Sequence, residues 1–159
     1  MKRLTACLLA VATIRTFCSA DATKLSAEDR KVLLNSSSIH EVSGVTNLPP
    51  SIVARCVDGS GRFAEPGQKW EATDFISDPK LPRARLIWAA TAGEYYVVHY
   101  ERGGFAHSYH ILVATFKPGE KMASIVWSGG YCLKYLKDYK AFRTALESNK
   151  LDCVGDDAR

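Results

Sequence analysis

From residue 85 onward, apolar residues recur with two periods. Over RLIWAAT (85–91), YYVVHYER (95–102), FAHSYHILVATF (105–116) and MASIVWS (122–128) the chain is rich in β-branched and aromatic residues, the composition of strands. The links between these runs are short: Thr91-Ala92-Gly93-Glu94, Gly103-Gly104 and Lys117-Pro118-Gly119-Glu120. Links of this length join antiparallel neighbours, so the pattern predicts a four-stranded meander. The period then lengthens. Tyr135, Leu136, Tyr139, Phe142, Ala145 and Leu146 recur every three or four residues before Asn149, which predicts a helix with one apolar face to bury.

The upstream pattern is weaker. Ser26 stands as N-cap before Ala27-Glu28-Asp29, with Asp29 at the capping-box position. Leu25, Val32 and Leu33 form a short stripe that Asn35-Ser36-Ser37-Ser38 breaks. Residues 21–47 therefore read as a short helix and a loop. Pro49 and Pro50 suit the first turn of a second helix, which carries Ile52, Val53 and Cys56 and ends at Asp58-Gly59-Ser60-Gly61. A long connection, 57–82, follows. Trp70–Ile76 is its candidate strand, and Phe63, Trp70 and Phe75 are expected to pin it to the core. The predicted fold is α+β: a four- or five-stranded antiparallel meander with the N-terminal helices and the C-terminal helix packed on one face. Residues 48–159 form its single compact domain.

The first residues point to export. Lys2 and Arg3 precede an apolar run, Leu4–Ile14, too short to span a bilayer. Small residues then mark cleavage after Ala20 or Ala22, so residues 1–20 read as a signal peptide. Leu4-Thr5-Ala6-Cys7 has lipobox letters but no apolar run before it, and bulky Phe17 precedes Cys18. The sequence thus predicts a periplasmic or secreted protein with no stable membrane insertion once the signal is removed.

Export alters the charge and the cysteines. Losing Lys2, Arg3 and Arg15 reduces 21 basic residues to 18 against 17 acidic ones. That near balance removes the electrostatic case for nucleic acid. Cys56, Cys132 and Cys153 remain, in a compartment where disulfides persist. Cys132–Cys153 is the favoured pair, with Cys56–Cys132 and Cys56–Cys153 as alternatives.

The densest chemistry lies in HYERGGFAHSYH, residues 99–110. If Gly103-Gly104 is a two-residue loop, His99 faces Ser108 and Tyr100 faces His107. Alternation then sets Tyr96, Val98, Tyr100, Phe105, His107, Tyr109, Ile111 and Val113 on a core face. Tyr95, Val97, His99, Glu101, Ser108, His110 and Leu112 share the other. Three chemistries follow for that second face. His99, Glu101 and His110 form a ligand set for zinc or another divalent transition metal. Ser108 activated by His99 and oriented by Glu101 would be a hydrolase nucleophile. Trp88, Tyr95, Arg102 and Phe105 would make a binding surface. No HExxH, P-loop, dinucleotide fingerprint or GxSxG elbow is present. The reading that follows is a small exported protein, non-enzymatic and without a cofactor. It would bind another protein in the cell envelope as an inhibitor, immunity factor or adaptor. The metal protein and the Ser108 hydrolase are the alternatives.

Overall fold

The computed structural model describes residues 25–37 and 39–151, with 131–133 described as backbone. Residues 1–20, where the sequence predicts a signal peptide, and Cys153 lie outside them. In chain order the elements are α1 (Ala27–Asn35), β1 (Ile39–Val42), a 3-10 turn (Val45–Asn47), α2 (Pro50–Cys56), β2 (Ala84–Ala92), β3 (Tyr95–Arg102), β4 (Ser108–Thr115), β5 (Ser124–Leu133) and α3 (Tyr139–Glu147). The fold is α+β, with helices packed on one antiparallel sheet of order β1-β2-β3-β4-β5.

Both longer helices begin on the caps that the sequence supplies. The Ser26 hydroxyl accepts the Asp29 N–H at 3.0 Å, and the Asp138 carboxylate accepts the Ala141 N–H at 2.7 Å. Each bond satisfies one of the free donors of a first turn. The fifth strand is β1, not Trp70–Ile76. In the 57–82 connection Ala64 makes a single bridge to Arg85 of β2, and Thr73 makes one to Gly104, beyond the end of β3. Phe63 does pin this connection, edge-on to Tyr100.

The helices, expected on one face, divide between the two. Leu33 of α1 and Phe142 and Leu146 of α3 pack with Ala90, Val97, Ile111, Val113 and Trp127. Ile52 and Cys56 of α2 pack with Leu86, Ala89, Val98, Tyr100 and Leu112. The sheet is thus the middle layer of three. A bulge in β2 between Leu86 and Trp88 lets these two residues enter opposite cores.

Candidate functional site

The β3–β4 hairpin is built differently from the two-residue turn its glycines suggest. Arg102 pairs with Ser108, Tyr100 with His110, and His99 with Ile111. The link is therefore the five residues Gly103–His107. Gly103 is occupied by packing. Its N–H donates to the Arg83 carbonyl at 2.9 Å, and a Cβ there would stand 1.9 Å from the Glu71 carbonyl oxygen. The missing side chain admits the 71–73 backbone, so the chain cannot close tightly at that point.

The shift of three positions is odd, so it exchanges the partners of every face. Tyr95, Val97, His99 and Glu101 lie with Tyr109, Ile111 and Val113. Tyr100 and Arg102 lie with Ser108, His110 and Leu112. His99 and His110, expected to share a face, stand on opposite sides of the sheet. The ligand set His99, Glu101 and His110 is not brought together. Among the described residues no three His, Cys, Asp or Glu side chains converge to hold a metal ion.

His99 is fully buried, between Trp88, Tyr109 and Tyr135. Its Nδ1 lies 2.8 Å from the His110 carbonyl oxygen, and its Nε2 accepts the Leu136 N–H at 3.2 Å. These partners fix the neutral tautomer with hydrogen on Nδ1. Burial pulls its pKa down from 6.5 to about 4. The Trp88 indole N–H donates to the Leu136 carbonyl at 2.6 Å, so two sheet side chains hold both backbone groups of Leu136.

Ser108 pairs with His110 rather than His99. The Ser108 hydroxyl is 2.7 Å from His110 Nε2, and the imidazole stacks on Tyr100 at 5.1 Å. Both residues are buried under the α2 face. The pair has the contact of a nucleophile and its base, with Ser108 7% and His110 1% exposed.

Glu101 is also buried, and it closes the loop on the opposite face. One carboxylate oxygen accepts Arg85 Nε at 2.6 Å and the other meets His107 Nε2 at 2.7 Å. Trp70 lies over the Arg85 guanidinium at 5.2 Å and edge-on to His107 at 5.4 Å. His107 falls within the strand that the pattern over 105–116 predicts. It instead anchors the C-terminal end of the loop.

Between these two anchors the loop presents Phe105, 98% exposed. The Thr73–Gly104 bridge brings the 71–78 loop beside it, and that loop carries Phe75 at 76% exposure and Ile76 at 47%. Phe75 was expected to pin the connection; it faces solvent instead. The 71–78 loop is itself fixed. The buried Glu71 carboxylate accepts Ser77 Oγ at 2.6 Å and the Asp78 N–H at 2.8 Å, and these bonds hold its carboxyl below the usual range. The result is a set of three exposed apolar side chains on two loops bridged to each other at the sheet end. No periodicity marks Phe75 and Ile76 as its members, because the bridge joins residues 31 apart in sequence.

The other residues predicted for a binding surface are committed elsewhere. Trp88 packs in the α1–α3 core. The Tyr95 hydroxyl donates to Asp29 at 2.7 Å, and that bond pushes its pKa up to about 12. Arg102 lies over Tyr100 and donates to the Cys56 and Arg55 carbonyls, so it ties β3 to the end of α2. Cys56 is buried and free, and burial pushes its thiol up to about 12. Neither pairing that uses Cys56 is formed. The favoured pair, Cys132–Cys153, lies outside the described side chains.

No known protein family, curated protein or solved structure matches this chain.

Proposed function

We propose that this is an exported, non-enzymatic protein that binds another protein in the cell envelope or outside the cell, with Phe105 as its anchor and Phe75 and Ile76 beside it. An inhibitor, immunity factor or adaptor fits this reading. The observation that carries it is a side chain of large apolar area held almost wholly in water by a loop braced at both ends. A soluble chain gains nothing in stability from such a residue, whereas exposed apolar patches mark contact sites. Aromatic anchors supply much of the energy of protein interfaces. A braced loop also loses little conformational freedom on docking. The burial of Ser108 and His110 agrees with binding rather than hydrolysis.

The test uses the exported chain, tethered and exposed to extract from its own cells, beside Phe105→Ser and Phe75→Ser variants. A partner held by the unaltered chain should be lost from Phe105→Ser, with affinity falling by roughly 2 kcal/mol, about thirtyfold. Val32→Ser, on the exposed side of α1, should leave it bound. No specific partner, or one retained equally by Phe105→Ser, would sink the proposal. N-terminal mass analysis of the same material reports whether cleavage follows Ala20 or Ala22.

A further inference from the structure

Residues 35–37 read Asn35-Ser36-Ser37. Asparagine, any residue but proline, then serine or threonine is the acceptor pattern for N-linked glycans in exported chains. The chain holds three asparagines, and the other two, before Leu48-Pro49 and Lys150-Leu151, lack the pattern. Three letters recur by chance, so the surroundings decide. Asn47 donates from its amide to Ser43 Oγ at 2.8 Å, and the Asn149 side-chain oxygen accepts from Arg30 at 2.6 Å. Among the described residues, only the Asn35 carboxamide of the three makes no hydrogen bond. Asn35 is the last residue of α1, and both it and Ser37 are exposed. The helix stops there, with Ser36 in extended backbone at φ −60° and ψ 118°. The acceptor amide thus stands at a helix end, clear of the core, where a bulky substituent displaces nothing.

We propose that Asn35 is the attachment site of an N-linked glycan, added as the chain is exported. The proposal rests on the export reading and is independent of the Phe105 surface. In the transfer, Asn35 Nδ2 bonds to the anomeric carbon of an oligosaccharide carried on a polyprenyl diphosphate. The bond from that carbon to the diphosphate oxygen breaks, the polyprenyl diphosphate leaves, and the amide gives up one proton. Nothing is oxidised or reduced. The donor and its transferase belong to the exporting cell. The fold sets where the sugar stands. Asn35 lines a cleft with Lys31, Val32 and Gly93, and Gly93 lies in the β2–β3 turn. Val32 is 39% exposed there, so the first sugars cover it. Phe105 lies in the β3–β4 link, at the other end of β3. The eight residues of β3 separate the two ends by roughly 25 Å, at about 3.3 Å per residue. The glycan masks the α1 end of the sheet and leaves the Phe105 loop open.

The test is peptide mass analysis of the chain purified after export from its own cells, before and after treatment with peptide N-glycosidase. The peptide that holds Asn35 should carry an oligosaccharide, and the enzyme should remove it and leave aspartate in its place. Asn35→Gln and Ser37→Ala should each lose the glycan completely. Ser37→Thr should keep it, and so should Ser36→Ala, at the position the pattern opens to any residue but proline. The N-terminus of the same material separates this proposal from the export reading. A chain that begins at Asp21 or Thr23 with an unmodified Asn35 peptide overturns the glycan alone. A chain that still begins at Met1 overturns export and the glycan with it. A sugar that survives Asn35→Gln also overturns the proposal, because it would sit on a hydroxyl of the serine run 36–38.

Discussion

His99 uses both ring nitrogens while neutral, giving a hydrogen to the His110 carbonyl and taking one from Leu136. A second proton would place N–H against N–H at Leu136, inside a fully buried site. The sign of the pH effect follows. Its folded pKa lies near 4, against 6.5 for the free side chain, so between those values the unfolded chain takes up a proton that the folded chain refuses. The contribution of the neutral ring is complete above pH 6.5, falls as pH drops through the window, and levels off below about 4. The change is about 3 kcal/mol at most, from 1.36 kcal/mol per pKa unit. Urea unfolding at pH 7.5 and 4.5 measures it. In His99→Gln, less stable at the higher pH, the difference between the two should shrink by about that amount. An unchanged difference would assign the acid sensitivity to other groups. The sequence shows a histidine among aromatic residues; it does not show Leu136 above it, because no local pattern ties residue 99 to residue 136.

At the scale of elements, caps and apolar periods are local and were readable. Ser26 starts α1, and Phe142 and Leu146 mark the buried stripe of α3. The faces of the hairpin were not, because register depends on one loop and that loop depends on a distant segment. Gly103 reads as a turn residue, yet it is required by the Glu71 and Ala72 backbone lying against it. Gly103→Ala should therefore cost about 2 kcal/mol or more, as overpacking against backbone does. It should also disturb the 71–78 loop before the strands. Urea melts and backbone amide shifts of residues 71–78 check both effects. A neutral substitution would mean that the two loops are not in contact in solution. One signal of the true arrangement did stand in the sequence. Ile111-Leu112-Val113-Ala114 is an unbroken apolar run, the pattern of a strand covered on both sides, and all four are buried.

For the whole molecule, that double covering has an energetic consequence. Ile111 and Leu112 are joined by a peptide bond but belong to different cores, one under α1 and α3 and one under α2. Each truncation to alanine should cost about 2–5 kcal/mol. Sequence neighbours are ordinarily expected to influence each other's effect, yet these two share no packed cluster. In a double-mutant cycle their costs should add to within about 0.5 kcal/mol, as for independent sites. Val97 and Ile111 lie apart in the chain but in one cluster, and their combined cost should depart from the sum. A large coupling between Ile111 and Leu112 would mean that the backbone of β4 transmits strain through the sheet. Additivity would mean that one strand serves two thermodynamically separate compartments. Each could then accumulate substitutions without consulting the other, so long as the hydrogen-bonded ladder between them stays intact.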